Sequence, residues 1–99
     1  LIKTPLTAIR PFIEEEGNSK VLYVKGFSNK ELNVSHIYNL FSNFGEIRKI
    51  ILIRIKEVGL IEFENIEYAK TAKEFLNNLL FFNEYLKVKV LFKHLFIIF

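Results

Sequence analysis

The chain has 99 residues, of which 51% are hydrophobic and 25% are charged, and it contains no cysteine. Its length fits one domain, and its composition is too apolar for a disordered segment. The lack of cysteine excludes disulfide bonds and thiolate chemistry. The net charge of +3 is too small to indicate nucleic-acid binding by itself, so the positions of the charges must decide.

The N-terminal half begins with an arm and continues into a strand and a helix. Residues 1–19 are predicted to be an arm or linker, because two prolines disfavour helix there and an acidic run is followed by a turn-forming Gly17-Asn18-Ser19. Residues 20–25 alternate as a strand does. Asn33 can cap a helix over 34–42, in which apolar residues keep helical spacing: Ile37, Leu40, Phe41 and Phe44.

Two strands are predicted in the middle of the chain. Ile47 to Ile55 is β-branched and apolar, and Val58 to Phe63 follows a turn near Lys56-Glu57. Asn65 can cap a second helix over residues 66–79. The inner stripe of that helix would be Ala69, Ala72, Leu76 and Leu79.

Residues 86–92 alternate again, which predicts a last strand. The order is therefore β-α-β-β-α-β. This order predicts an α+β, ferredoxin-like fold, in which two helices cover one face of a four-stranded antiparallel sheet. The other face would be open to a ligand.

Several segments resemble the RNA recognition motif (RRM). Leu22 to Phe27 resembles its first signature hexamer, and Lys56 to Phe63 resembles its second signature, an octamer on the third strand. The corner Phe41 to Ile47 is also typical of RRMs. The stretches Leu79 to Val88 and Phe92 to His94 are similar to the polypyrimidine-tract-binding protein and heterogeneous nuclear ribonucleoprotein L group. The resemblance covers residues 20–94, which we take as the domain.

The octamer departs from the usual pattern at the positions that normally stack on bases. Val58 and Leu60 occupy the places of two aromatic rings, and Glu57 replaces the usual glycine. The resembled group also tends to use aliphatic side chains on its sheet. The resemblance therefore implies binding of single-stranded RNA by one remaining ring, aliphatic side chains and lysines.

Tyr23 is the expected stacking ring, because alternation with Leu22 and Val24 keeps it out of the core. The alternative is an ordinary cross-strand packing role beside Val58 or Leu60. The lysines could equally be solvated surface residues. The predicted RNA-binding residues are Tyr23, Lys25, Lys49, Ile51, Ile53, Lys56, Val58, Leu60, Lys87, Lys89 and His94.

No catalytic or metal-binding arrangement is recognisable, so we expect a non-enzyme with no cofactor and no metal. His36 is expected to be a solvated helix residue. The apolar tail, residues 95–99, is expected either to form a fifth strand beside the second strand or to begin a linker. Because the sequence begins at Leu1, we expect a piece of a longer protein.

The resemblance implies a pre-mRNA-processing factor, similar to splicing regulators, that binds pyrimidine-containing RNA, either CU-rich or CA-rich. The alternative is a protein-interaction RRM that docks a peptide on its sheet face or its helix face. A purely architectural domain has little in its favour. We expect a monomeric domain of a nuclear protein with no membrane partner, and shuttling to the cytoplasm is left open.

Overall fold

A computed structural model describes residues 13–14 and 19–91. Its strands are β1 (Ile13–Glu14), β2 (Val21–Lys25), β3 (Ile47–Ile53), β4 (Val58–Phe63), β5 (Leu80–Phe81), β6 (Glu84–Tyr85) and β7 (Lys87–Leu91). Its α-helices are α1 (Val34–Phe41), which a 3-10 turn (Ser42–Phe44) extends, and α2 (Ile66–Leu76). The predicted tail, residues 95–99, lies outside the described residues.

Five strands form one antiparallel sheet in the order β1-β7-β2-β4-β3. The two helices pack on one face of this sheet, which we call the inner face, and the opposite side is the outer face. The predicted ferredoxin-like fold is therefore confirmed. The strand β1 comes from within the predicted arm and adds to the sheet beyond β7.

The main core lies between the helices and the inner face. Every second residue of the central strands points into it, as strand alternation requires. Burying each large side chain contributes about 1.5–3 kcal/mol to folding. The buried members include Leu22, Val24, Ile37, Phe41, Ile61, Phe63, Ala69, Ala72, Leu76, Val88 and Val90.

Helix α1 begins with a reciprocal cap. The Asn33 side chain accepts hydrogen bonds from the backbone N–H groups of Ser35 (3.0 Å) and His36 (3.3 Å), and His36 Nδ1 accepts from the Asn33 N–H at 3.1 Å. These bonds satisfy backbone donors that the first turn of a helix leaves unpaired. Asn33 was predicted as the cap. His36 was expected to be a solvated helix residue, and its hydrogen bond in the cap was not predicted.

Helix α2 begins as predicted, since Asn65 Oδ1 accepts from the Tyr68 N–H at 2.9 Å, but it ends earlier than predicted. Asn77 is extended (ψ 127°) and Asn78 is left-handed (φ 73°). The helical stripe therefore ends at Leu76, and Leu79 lies outside the helix with 36% of its surface exposed. The prediction that Leu79 belongs to the inner stripe was wrong.

Strand β3 also ends two residues before the predicted boundary. Residues 54–57 form a tight turn in which the Lys56 N–H donates to the Ile53 carbonyl (3.2 Å) and the Glu57 N–H to that of Arg54 (3.1 Å). Glu57 has a positive φ of 60°. Ile55 consequently projects into solvent from the turn instead of extending the strand.

A small hairpin that was not predicted joins α2 to β7. Strands β5 and β6 pair through Leu80 with Tyr85 and Phe81 with Glu84, and the turn residues Phe82 and Asn83 have φ values of 53° and 65°. Two successive positive φ values match a two-residue hairpin turn. Asn is common there, but Phe is not, so the turn had no clear sequence signal.

The edge of β7 that points away from β2 is covered along its length. Leu86, just before β7, exchanges hydrogen bonds with the backbone of Asn78 and Leu79, at 2.7 Å and 2.9 Å. The Val88 N–H donates to Asn77 Oδ1 at 2.9 Å, and β1 pairs with the C-terminal end. Covering an edge in this way prevents pairing with other strands.

Two glycines allow close packing around the core. A Cβ on Gly45, where φ is 150°, would lie 2.1 Å from Tyr68 Cγ, and one on Gly59 would lie 2.7 Å from Phe27 Cε2. Both distances are far below van der Waals contact, so these positions exclude a side chain. Within the described chain, neither helix is long and apolar enough to cross a membrane.

Candidate nucleic-acid interface

The outer face carries side chains in three cross-strand rows, which follow from the register of β7, β2, β4 and β3. The aromatic row consists of Lys89, Tyr23, Leu60 and Ile51. The basic row consists of Lys87, Lys25, Val58 and Ile53. The mixed row consists of Leu91, Val21, Glu62 and Lys49.

The aromatic row places Tyr23, the one ring in these three rows of described residues, between a cation and two aliphatic side chains. Tyr23 lies opposite Lys89 on one side and opposite Leu60 on the other, and Ile51 follows Leu60. Directly opposite residues have Cα atoms about 4.5–5.5 Å apart, so these side chains are immediate neighbours on the sheet. Tyr23 is half-buried and packs against Leu60, which leaves part of its surface accessible.

The basic row places two lysines side by side. Lys25 and Lys87 are register partners on β2 and β7, and both are exposed. Lys87 Nζ donates a hydrogen bond to Asn78 Oδ1 at 2.7 Å. Like charges in directly opposite positions destabilise a sheet. An anion bound between them would relieve this repulsion.

The mixed row contains an opposite pair of charges. Lys49 on β3 is the register partner of Glu62 on β4. The carboxylate reduces the positive potential at this corner, so Lys49 attracts a phosphate less strongly than Lys25 does. Two of the predicted site residues sit apart from the rows: Lys56 is exposed in the turn after β3, beyond Ile53, and His94 lies outside the described residues.

A second cluster of buried residues lies on this face, which the sequence did not predict. It contains Val21, Leu60 and Leu91, each about 1% exposed, with Tyr23, Ile51 and Ile53 packed against it. Val58 is also buried, at 3%.

The expectation that Val58 and Leu60 present open surface to a ligand therefore differs from the structure. Leu60 has large neighbours on both sides, since Tyr23 and Ile51 are its two register partners. Val58 lies likewise between Lys25 and Ile53. Both residues support the surface, and the accessible groups are those around them: Tyr23, Lys25, Lys49, Ile51, Ile53, Lys56, Lys87 and Lys89.

Val21 and Leu91 complete the cluster but were absent from the predicted set of site residues. The signal for Val21 was present, because it alternates in phase with Tyr23 and Lys25.

Among residues 19–91, no three His, Cys, Asp or Glu side chains are grouped as metal ligands. The aromatic and basic rows of the outer face set apolar surface beside cations. Such a surface suits an unstacked base next to a phosphate.

The fold and this face agree with the comparison to known families. A sequence model described as the RNA recognition motif, also called the RRM, RBD or RNP domain, matches residues 3–98. The chain belongs to the RRM family and is an RNA-binding module of that family. The family predicted from the two signature segments is thus confirmed.

Several relatives are similar over most of the chain. The MKI67 FHA domain-interacting nucleolar phosphoprotein of Rattus norvegicus is 38% identical over 82 residues, which cover 77% of this chain and 30% of that protein. Ribosome biogenesis protein 15 of Saccharomyces cerevisiae is 35% identical over 86 residues, covering 77% and 37%. The chain therefore spans about a third of the length of these relatives.

A more distant relative bears on the narrower resemblance. Polypyrimidine tract-binding protein homolog 3 of Arabidopsis thaliana is 30% identical over 61 residues, covering 62% of this chain and 14% of that protein. Among solved structures, the RNA15 RRM superposes with a TM-score of 0.69 at 21% identity, covering 79% of this chain and 95% of that one. At this identity the superposition supports the fold alone.

Proposed function

We propose that the outer face binds single-stranded RNA, with Tyr23 stacking on one base and the neighbouring lysines contacting phosphates. The observation that carries this proposal is the register of the aromatic and basic rows. This register places Tyr23 beside Lys89 within the aromatic row, and it places the Lys25–Lys87 pair in the adjacent row. A base on Tyr23 thus has cations within reach on two sides.

The binding is expected to be weak to moderate for this domain alone. One base stacked on one aromatic ring contributes about 1–3 kcal/mol, and the described rows of this face hold one such ring where many RRMs have three. Ile51 and Ile53 offer aliphatic contact to neighbouring bases. In a longer protein, other RNA-binding domains would raise the overall affinity by avidity.

For the target, we propose pyrimidine-containing RNA in the nucleus. The support is the similarity of the stretch Leu79 to Val88 to the polypyrimidine-tract group, and the Arabidopsis relative of that name. Two relatives of higher identity, at 38% and 35%, carry names of nucleolar and ribosome-biogenesis proteins. Pre-mRNA processing and ribosome assembly are therefore the two settings proposed, and sequencing of RNA cross-linked to the full-length protein would distinguish them.

The decisive experiment is a fluorescence-anisotropy titration with three labelled dodecanucleotides: a CU repeat, a CA repeat and a purine-only sequence. We expect binding of one or both pyrimidine-containing RNAs, with the purine RNA weaker. Equal binding of all three would contradict the pyrimidine preference. A failure of all three to bind the isolated domain at millimolar concentration would contradict RNA binding by this face.

A second candidate, peptide docking on the helix face, is favoured by one observation. Phe75 on α2 is 65% exposed, and its ring stacks on that of Phe44 at a centroid distance of 5.9 Å. An exposed ring supported in this way by a half-buried one is a suitable anchor for an apolar peptide side chain. Phe75→Ser should abolish such binding, measured by two-hybrid or pull-down with the full-length protein, and should leave RNA affinity unchanged.

A further inference from the structure

The hairpin between α2 and β7 presents a tyrosine that the core does not use. Phe81 and Glu84, which are paired, face inward: Phe81 packs against the main core, and the Glu84 carboxylate accepts a hydrogen bond from the Ser28 hydroxyl. The other pair, Leu80 and Tyr85, must then face the opposite way. Their exposure agrees, at 55% for Leu80 and 63% for Tyr85.

The chain direction places this tyrosine on the same side as the basic row. Leu86, between Tyr85 and Lys87, is buried in the main core. Since successive residues of an extended chain point to opposite faces, Tyr85 and Lys87 share the outer side. The Tyr85 carbonyl also lies against Gly26, only 3.1 Å from where a Cβ would stand, so Tyr85 adjoins the end of β2 directly after Lys25.

We propose that Tyr85, supported by Leu80, is a second base-stacking platform that extends the RNA site past the end of the sheet. This inference rests on the proposed RNA-binding function. Tyr85 lies four residues from Lys89, the neighbour of Tyr23, which at about 3.3 Å per residue is about 13 Å along the strand. The Lys25–Lys87 pair lies between the two rings, where the phosphates that join the stacked bases would pass.

The RNA partner is favoured over a peptide by charge. The nearest side chains of the outer face to this platform are those of Lys25 and Lys87, and two adjacent cations favour a polyanion. The RNA strand would therefore run along β7 and β2, from the aromatic row across the basic row to the hairpin.

The test compares two RNA lengths. Tyr85→Ala should weaken binding of a CU-repeat dodecanucleotide by about 5- to 150-fold, the effect of one stacked base. The same variant should leave binding of a CU tetranucleotide nearly unchanged, because so short an RNA is held at Tyr23. Tyr85→Phe should bind like the wild type, since stacking uses the ring.

The matched control is Tyr38→Ala. Tyr38 is 48% exposed on α1, on the other side of the sheet, so its loss should affect neither RNA. Thermal melts of each variant establish that the fold is kept, and the ring signals of Tyr85 in NMR spectra of the wild type should shift when the dodecanucleotide is added.

Three outcomes would overturn the platform. If Tyr23→Ala weakens binding of the dodecanucleotide but Tyr85→Ala does not, RNA binding stands and the platform falls. If the wild type binds neither RNA, the proposed function and the platform fall together. A loss of a protein partner in Tyr85→Ala with unchanged RNA affinity would assign the hairpin to protein binding and would likewise overturn the proposal.

Discussion

Lys25 and Lys87 lie directly opposite each other on β2 and β7, and both are positively charged and exposed. In the free protein, such a pair lowers the free energy of unfolding by about 0.2–1 kcal/mol, the size of other cross-strand pair energies. Salt weakens the repulsion because both ammonium groups are solvated. The pair therefore lowers stability in the absence of a ligand and gains from a bound phosphate.

This relationship predicts opposite effects of Lys25→Gln on stability and on binding. The free energy of unfolding at low salt should rise by about 0.2–1 kcal/mol, because the like-charge pair is removed. The slope of log affinity against log salt for single-stranded RNA should become shallower by about 0.7, the contribution of one phosphate contact. Lys70→Gln, exposed on α2 behind the sheet, is the control. A slope that changes equally in both variants would argue against phosphate contact at Lys25.

Replacement of Tyr23 can separate packing from stacking. Tyr23→Leu keeps an apolar neighbour for Leu60, so its thermal melt should stay close to that of the wild type. The same variant has no ring, and RNA affinity should fall by about 1–3 kcal/mol. Tyr23→Phe should retain both properties. Unchanged affinity in Tyr23→Leu would show that Tyr23 is only a packing residue.

The bond from the Val88 N–H to Asn77 Oδ1 predicts a local effect at the edge of β7. Asn77→Ala leaves this partly buried donor without its acceptor, which should lower the free energy of unfolding by about 1–3 kcal/mol. Amide exchange should accelerate at Val88 more than at Val24 in the sheet centre. Asn39→Ala, on the exposed side of α1, serves as the control. Slow exchange at Val88 in Asn77→Ala would mean that another group satisfies the donor.

The contact of Gly45 with Tyr68 predicts a strong effect of a single methyl group. Gly45→Ala places a Cβ 2.1 Å from Tyr68 Cγ and forces a non-glycine residue to a φ of 150°, a conformation that costs about 1–3 kcal/mol. Tyr68→Ala should remove the collision but not the backbone strain, so Gly45→Ala should cost less stability in the Tyr68→Ala background than in the wild type. Additive effects in urea denaturation would contradict direct contact.

Much of the fold was predictable because its signals are local. The alternation in Val21 to Lys25 and the caps at Asn33 and Asn65 act within a few residues, and the structure has them where the sequence placed them. The end of α2 was predicted three residues too late. It depends on Asn77, whose side chain is used by Val88 eleven residues further on.

The candidate site was predictable in its register but not in its exposure. Strand phase alone places Tyr23, Lys25 and Leu60 on the same face. The burial of Leu60 depends on both neighbouring strands at once, since Tyr23 flanks it from β2 and Ile51 from β3. The hairpin that carries Tyr85 was missed because its turn uses Phe82, which is rare at a positive φ.

The two edges of the sheet differ, and this difference limits how copies of the domain can associate. The β7 side ends in the hairpin, the Asn77 side chain and a two-residue β1, whereas β3 has no strand beyond it among the described residues. Growth of a continuous intermolecular sheet needs two pairing edges on every copy. Judged by the described residues alone, one pairing edge per copy would allow a closed two-fold pair of molecules but not a fibre.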